Sequence, residues 1–278
     1  MMNIEEIISN ALTEDVGEGD HTTLSTVPAD AVKNARMIAK QAGIICGTEI
    51  AAKVFKAIAP DLTVDILRRD GEPVAVGDVI LRVSGNARAI LTGERTALNF
   101  IQRMSGIATK AHFLMKKVEG TRVKLLDTRK TTPLLRELEK YAVLCGGGSN
   151  HRFGLFDMML IKDNHVDFAG GITAAIVSAN DYLTSHGKAL QIEIEVRNFD
   201  ELQEALQTGN IHRIMLDNFT PEQIQTALTI IDGKYPVEAS GGITEENIRQ
   251  YAETGVDYIS VGALTHHIKS LDISLLAD

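Results

Sequence analysis

Beyond Gly120 the chain repeats one pattern, a short apolar run that ends in a polar residue or glycine and is usually followed by a helical stretch. The runs VKLLD, YAVLC, MMLIK, LQIEIEV, HRIMLD, PVEAS and DYISVG end at Asp127, Cys145, Lys162, Val196, Asp217, Ser240 and Gly262. Strands alternating with helices are typical of a parallel sheet, and repeated right-handed βα units can close into a barrel. A standard eight-fold barrel takes about 250 residues, and only about 150 follow Gly120. We therefore predict a seven-stranded, incomplete α/β barrel of the TIM type.

The residues before this pattern predict a different architecture. Apolar residues at helical spacing between Ile4 and Leu12 predict an opening helix, and strand-like stretches surround a second predicted helix at 48–58. A long helical pattern then runs from Ala87 to about Val118, with a kink or junction expected at Ser105-Gly106. We predict a mixed α/β domain over residues 1–107 and a catalytic barrel over 108–265. Residues 266–278 are expected to pack back on the first domain.

Charge and composition narrow the functional class. The chain carries 28 Lys plus Arg against 37 Asp plus Glu, a net charge of −9, which argues against binding to nucleic acid or an anionic membrane. No apolar run approaches the roughly 20 residues of a membrane-spanning helix, and the acidic, amphipathic start predicts neither a secretory signal nor a transit peptide. The two cysteines, Cys46 and Cys145, lie in apolar runs, which predicts reduced apolar side chains rather than a disulfide framework or a cysteine metal site. These features predict a cytoplasmic protein.

Positive charge is concentrated in one part of this acidic chain. Residues 122–165 contain eight Lys and Arg against five Asp and Glu, whereas the remainder contains 20 against 32. In a parallel barrel the active site lies at the carboxyl ends of the strands, where several of these cations fall. A local cationic cavity of this kind is suited to a small anionic ligand.

Three segments carry the cations. Arg129 and Lys130 directly follow the first run, His151 and Arg152 follow the triple glycine 146–148, and Lys162 ends a later run. Arginine offers a planar fork for carboxylate or phosphate, and lysine a mobile point charge. A solvated basic turn at 127–133 and a flexible glycine linker are the structural alternatives.

Acidic residues follow on two later runs. Glu193 and Glu195 alternate with apolar residues, so both side chains lie on one face of a strand. If that face is the barrel lumen, the buried carboxylates need cations or a metal; alternatively they pair with basic residues on the helices. Asp217 ends the next run, and carboxylates at neighbouring strand ends suit Mg²⁺ held through water and ligand phosphates.

The last two runs end in glycine-rich loops at 240–242 and 260–265. Such loops after the final strands of a barrel commonly bind a phosphate through backbone N–H groups. A simple tight turn is the alternative for each loop alone.

These residues lie in motifs that resemble one family. ERTALNFIQRMSGIAT, DTRKTTP, KYAVLCGGGSNHRFGLFDMMLIKDNH, EIEV, LDN, EASGGIT and ISVGALTH occur in the order and spacing of the quinolinate phosphoribosyltransferases, the carboxylating nicotinate-nucleotide pyrophosphorylases. The resemblance covers nearly the whole chain, and the stretch from the triple glycine to Asn164-His165 is its most specific part. Paralogous molybdenum-transport-associated proteins share the architecture but differ around Lys162.

The resemblance implies a mixed α/β N-terminal domain and a seven-stranded barrel. It implies conversion of quinolinate and phosphoribosyl diphosphate to nicotinate mononucleotide, pyrophosphate and carbon dioxide with Mg²⁺, in a homodimer or a hexamer built as a trimer of dimers. It further implies four groups of site residues. Quinolinate is held by Arg129, His151, Arg152 and Lys162, and the distal phosphate by Ser240, Gly241, Gly242 and Gly262. Lys130, Glu195 and Asp217 act around the ribose diphosphate, with Glu195 and Asp217 contacting the metal indirectly, and Arg95 reaches the neighbouring subunit's site.

Two other functions are compatible with the sequence. The chain could be the paralogous phosphoribosyltransferase-like protein acting on another substrate, or a non-catalytic anion-binding barrel. The acidic groups near the cationic segments argue against the second, because an anion binder gains nothing from them.

Overall fold

The computed structural model describes residues 3–278, and the chain divides into two compact units. The first comprises the residues up to Phe113 with Thr131–Gly147 and Leu264–Asp278, and the second comprises Leu114–Lys130 and Gly148–Ala263. The helices are α1 (Ile4–Val16), α2 (His21–Thr26), α3 (Thr48–Ile58), α4 (Ala87–Lys117), α5 (Arg136–Cys145), α6 (Asp163–Ala169), α7 (Ile172–Ser185), α8 (Phe199–Thr208), α9 (Pro221–Ile231), α10 (Ile248–Glu253) and α11 (Ala263–His266). The strands are β1 (Val32–Ala39), β2 (Gly43–Ile44), β3 (Thr63–Ile66), β4 (Pro73–Val74), β5 (Val79–Asn86), β6 (Lys124–Leu126), β7 (Met159–Ile161), β8 (Ile192–Val196), β9 (Arg213–Asp217), β10 (Val237–Ser240), β11 (Tyr258–Ser260) and β12 (Ile273–Ala277). Within this described range, no helix is long and apolar enough to cross a membrane.

An antiparallel sheet in the order β12-β1-β5-β3 organises the first unit. The C-terminal strand β12 pairs with β1 from Ala35–Ala277 to Ala39–Ile273. Alternate residues of β1 and the apolar stripe of α3 are buried, as their period-2 and helical patterns require. The predicted helices at 4–12 and 48–58 correspond to α1 and α3.

Helix α4 runs without interruption through Ser105-Gly106, where the sequence predicted a kink or junction. A Cβ atom on Gly106 would lie 2.4 Å from the carbonyl oxygen of Lys269. The glycine is therefore needed for the close approach of another backbone segment, and the predicted break in the helix was wrong.

The second unit contains a six-stranded, wholly parallel sheet in the order β6-β11-β10-β9-β8-β7. Capping residues start its helices where the strand loops end: Asn198 accepts a hydrogen bond from Glu201 N, and Thr220 forms a capping box with Gln223 before Pro221. Because the strands are parallel, their carboxyl ends lie on one edge of the sheet, and the polar residues that follow them lie together at that edge.

The run ending at Cys145 is not a strand. It forms α5, whose buried residues Leu138, Ala142 and Val143 recur at helical spacing. A seventh segment pairs with the sheet only through an isolated parallel bridge between Ser149 and Leu126. The fold class, a mixed α/β N-terminal part followed by an incomplete α/β barrel, is confirmed, although one predicted strand was assigned to the wrong residues.

Candidate active site

A cavity of about 290 Å³ opens in the second unit at the carboxyl ends of its parallel strands. It is lined by Thr128, Arg129, Lys130, His151, Arg152, Leu160, Lys162, Met215, Glu238, Ser240 and Ser260. Three separate sequence segments thus bring their cations to one place, which is the local positive region predicted from the sequence.

The segment that follows the triple glycine is held against β6. The Ser149 amide donates to Leu125 O at 2.8 Å, and the Asp127 amide donates to Ser149 O at 3.1 Å. The buried Asp127 carboxylate accepts the His151 amide at 2.9 Å. The segment carrying His151 and Arg152 is therefore fixed, not a flexible linker.

Arg152 faces Arg129 across the cavity wall. Its Nη1 atom donates to Met158 O at 3.2 Å. Burial, and next the positive charge of Arg129, lower the pKa of Arg152 from its ordinary value. Two guanidinium groups that repel each other are suited to share an anion, because a bound carboxylate or phosphate removes that repulsion.

Beneath these cations lies a buried group that we call the floor cluster: His151, Glu193, Arg213 and Glu238. The His151 Nε2 atom lies 3.0 Å from Glu193 Oε2 and 3.4 Å from Glu238 Oε2. Arg213 Nη1 donates to Glu238 Oε2 at 3.1 Å, and its guanidinium lies over the Tyr258 ring. Both carboxylates are fully buried, so the two neighbouring cations compensate for the cost of burying them.

The floor cluster holds a proton on His151. Burial alone would lower the pKa of this imidazole, but its contacts with Glu193 and Glu238 outweigh burial and raise the pKa to about 9. Nδ1 accepts the Arg152 amide at 2.7 Å in the neutral ring. Protonating Nδ1 gives up that single hydrogen bond, worth about 0.5–1.5 kcal/mol, which is less than the attraction of two buried carboxylates. Burial also raises the pKa of Glu193, and Glu238 adds to this effect.

A second acidic group, the rim carboxylates Glu195 and Asp217, lies at the ends of β8 and β9. Lys162 Nζ donates to Glu195 Oε2 at 3.0 Å, and Asn218 Nδ2 donates to Asp217 Oδ2 at 2.6 Å. Burial, followed by the charge of Glu195, raises the pKa of Asp217. The two carboxylates are therefore close enough to repel each other and to attract one shared cation.

The glycine-rich loop after β10 approaches the loop after β9 closely. Gly241 has φ +87°, and a Cβ atom there would lie 2.2 Å from Asn218 Oδ1. Asn247 Nδ2 donates to Gly242 O at 3.1 Å, and Ser240 lines the cavity. Gly262 occupies the position between β11 and α11. Only glycine fits at position 241 without strain or a clash with Asn218.

Family models match both parts of the chain. The model described as "Quinolinate phosphoribosyl transferase, C-terminal domain" matches residues 107–276, and the corresponding N-terminal domain model matches residues 20–105. The chain belongs to the quinolinate phosphoribosyltransferase family.

Individual relatives agree with this assignment. The chloroplastic nicotinate-nucleotide pyrophosphorylase [carboxylating] of Arabidopsis thaliana is 41% identical over 99% of this chain and 83% of its own length. The probable enzyme of the same name from Bacillus subtilis is 40% identical over 99% of this chain and 93% of its own. The solved nicotinate-nucleotide pyrophosphorylase of Francisella tularensis superposes with a TM-score of 0.93 at 42% identity, covering 99% of this chain and 96% of that one.

The structure assembles most of the site residues that the quinolinate phosphoribosyltransferase resemblance implied. The cations and Ser240 line the cavity, with Glu195 bonded to Lys162 and Asp217 next along the sheet edge. Arg95 lies apart from them in sequence, exposed on α4 in the first unit.

Sequence reasoning missed two members of the floor cluster. Arg213 and Glu238 are charged residues within the apolar runs HRIMLD and PVEAS, at positions where a buried parallel strand normally carries apolar side chains. That anomaly was the available signal.

Proposed function

We infer that this chain transfers the phosphoribosyl group of phosphoribosyl diphosphate to quinolinate and decarboxylates the product, giving nicotinate mononucleotide, pyrophosphate and carbon dioxide in NAD biosynthesis. One observation carries this inference: cations from three segments line a single cavity, and one of them, Lys162, is hydrogen-bonded to the rim carboxylate Glu195. Its relatives bear the name of the decarboxylating transferase.

The cations that line the cavity, Arg129, Arg152 and Lys162, form a cationic wall that is suited to quinolinate. A pyridine dicarboxylate carries two negative charges that lose water on binding, and charge-assisted hydrogen bonds from Arg129, Arg152 and Lys162 replace that water. We propose that His151, held protonated by the carboxylates below it, adds positive charge at the base of this subsite.

The rim carboxylates serve the ribose end. Displacement at the anomeric carbon builds positive charge on the ribose, which Glu195 and Asp217 stabilise. Lys130 binds the diphosphate, and the glycine loops bind the distal phosphate. Lys162 lies between the two ends because it lines the cationic cavity and also pairs with Glu195. A carboxylate of quinolinate competes for Lys162 and leaves Glu195 to face the ribose.

Decarboxylation then follows from the substrate's own chemistry. Alkylation makes the pyridine nitrogen positive, and this charge stabilises the carbanion left when the adjacent carboxylate departs as carbon dioxide. The cations need only hold the other carboxylate and orient the ring.

The rim carboxylates also fit Mg²⁺, since the pair offers only oxygen donors. Burial and the charge of Glu195 raise the pKa of Asp217, and a cation bound between the two carboxylates would offset that repulsion. We propose that they hold the ion through water and the substrate diphosphate. Bound there, Mg²⁺ neutralises the charge that develops on the departing pyrophosphate.

The direct test is ultraviolet measurement of quinolinate loss with phosphoribosyl diphosphate and Mg²⁺. Turnover that requires all three and is lost in Lys130→Ala is the expected result. Use of a different pyridine in place of quinolinate would favour the paralogous function. Quinolinate binding with no turnover of any pyridine would favour a non-catalytic barrel.

We also propose that the active unit contains at least two chains, as a homodimer or a trimer of dimers, and that Arg95 acts in the partner's site. Support comes from the resemblance and from Leu155, Phe156 and Phe168, which are 70, 60 and 89% exposed in the isolated chain. We also propose a cytoplasmic location, in keeping with a content of only two cysteines among 278 residues.

Subunit mixing tests the role of Arg95. Inactive Arg95→Ala chains mixed with inactive Lys130→Ala chains should regain activity, since one of the two sites in a mixed dimer has both residues intact. Verified subunit exchange with activity no higher than in the parents would show that Arg95 does not act across an interface.

A further inference from the structure

The first unit contains a polar cluster that the proposed reaction does not use. Cys46 Sγ, Cys145 Sγ and a carboxylate oxygen of Asp70 all lie within 4.8 Å of one another. The Tyr141 side chain lies near Cys145 and Asp70 and interacts electrostatically with both. The sequence predicted two isolated apolar cysteines, but the fold brings both thiols to one carboxylate.

Three segments distant in sequence build this thiol cluster. Cys46 directly precedes the Gly47 N-cap of α3, Asp70 lies in the turn between β3 and β4, and Cys145 ends α5. Tyr141 is one turn before Cys145 on the same face of that helix. Every donor belongs to the first unit.

The backbone at Cys46 is fixed by neighbouring groups. Its amide donates to Ser105 Oγ at 2.9 Å, and the Ser105 hydroxyl donates back to Cys46 O at 3.1 Å. The buried Ser105 thus holds the Cys46 backbone, and the Cys46 side chain is itself fully buried.

Asp70 is oriented in the way that a metal-binding carboxylate is usually oriented. Its Oδ1 atom accepts the Thr48 amide at 2.9 Å and the Thr48 hydroxyl at 2.8 Å. Its Oδ2 atom is directed toward Cys46 Sγ at 4.0 Å. Hydrogen bonds from Thr48 therefore hold one carboxylate oxygen, and the other oxygen faces the thiols.

The donor chemistry selects the ion. Two sulfurs and one carboxylate oxygen match Zn²⁺ and related borderline-soft divalent ions, whereas Mg²⁺ and Ca²⁺ require oxygen donors. Cys145 and Asp70 are only partly buried, so an ion can reach the cluster.

We propose that Cys46, Asp70 and Cys145 form a site for one zinc-class divalent ion, with Tyr141 lying near two of the three ligands. Binding forms two metal–sulfur bonds and one metal–oxygen bond and releases the proton of each thiol to solvent. The ion ties the start of α3, the β3–β4 turn and the end of α5 together, so its role is structural.

The test is a Co²⁺ titration of reduced, chelator-treated protein, with Co²⁺ as a spectroscopic substitute for Zn²⁺. Thiolate-to-cobalt charge-transfer bands should saturate at one ion per chain, disappear on adding Zn²⁺ and persist in excess Mg²⁺. Cys145→Ser should abolish these bands, and Asp70→Asn should weaken binding by at least about tenfold. Zn²⁺ should raise the Tm of the unsubstituted protein but not of Cys145→Ser.

A matched control replaces both His266 and His267 with Ala, which removes an exposed histidine pair without touching the cluster. Bands unchanged in this variant support the proposal, whereas cobalt binding that gives no thiolate bands and is lost in this variant would assign the ion to the histidines. Folded protein without thiolate bands, or with full bands in Cys145→Ser, would overturn the site. A mass lower by two hydrogens under non-reducing conditions, restored by adding reductant, would instead identify a disulfide.

Discussion

Glu193 and Glu195 lie two residues apart on one face of β8, yet their surroundings differ sharply. Glu193 belongs to the floor cluster, against His151, Arg213 and Glu238, whereas Glu195 pairs with the half-exposed Lys162 beside Asp217. The floor cations are fixed by burial, while Lys162 can exchange its carboxylate partner for a substrate. Depth in the barrel, rather than residue type, thus separates the fixed floor carboxylate from the rim carboxylate that we propose for the ribose end.

The largest expected effect comes from breaking the floor. Glu238→Ala leaves Arg213 and His151 with one carboxylate and should reduce the free energy of unfolding by about 3–5 kcal/mol, the range for removing one partner of a buried ion pair. Urea denaturation measures it. Glu195→Gln is the matched variant at the rim and should cost far less stability; equal losses in the two proteins would erase the distinction between floor and rim.

Breaking the rim should affect chemistry instead. Glu195→Gln and Asp217→Asn should each lower kcat by about 10²–10³-fold, because a group that stabilises transition-state charge is lost, with quinolinate affinity nearly unchanged. Steady-state kinetics and direct binding measurements separate the two effects. Glu193→Gln is the control on the same strand and should retain most of kcat. Near-normal turnover in both rim variants would show that these carboxylates are structural.

Substitutions in the cationic wall should weaken the binding of quinolinate. Arg152→Ala should weaken quinolinate binding by about 1.5–3 kcal/mol, the range for a hydrogen bond to a charged group, as calorimetry can measure. Arg197, which pairs with Asp167 and Glu201 outside the cavity, provides the control substitution to Ala. Unchanged quinolinate affinity in folded Arg152→Ala would remove this arginine from the site.

The smallest expected effect is the pH dependence of stability. Because the folded-state pKa of His151 is raised from 6.5 to about 9, its contribution is complete below pH 6.5 and disappears as pH rises through 9. The free energy of unfolding should therefore fall by about 1–3 kcal/mol over that interval. Denaturant melts of the unsubstituted protein and His151→Gln should converge at high pH, whereas substituting the exposed His186 with Gln should leave the profile unchanged. Parallel profiles for the His151 variant would contradict the floor assignment.

The fold was largely predictable because strand and helix periodicities survive in the sequence. The error at YAVLC has a physical cause, since a run of five apolar residues fits a strand or one turn of a buried helix equally well. The preceding charged residues Glu139 and Lys140 are buried, so the charges before this run do not mark the solvent face of a helix in the usual way.

The candidate site was predictable at the rim but not at the floor. Residues that follow a strand, such as Arg129, Lys162 and Asp217, can be located from where apolar runs end. The partners of a residue inside a strand depend on register between strands: Glu238 reaches Arg213 and His151 only because β9 and β10 lie side by side. Sequence periodicity carries no information about that lateral order.

The pairing of β12 with β1 has a consequence for biosynthesis. Strand β1 emerges early from the ribosome, but the neighbour on one of its sides is encoded after the whole parallel sheet. Until that late segment is translated, the nascent first unit presents an open edge of unpaired N–H and C=O groups, a template for association with other chains. The portion of the protein that is begun first is therefore completed last, and the period of greatest exposure to aggregation spans nearly the entire time of synthesis.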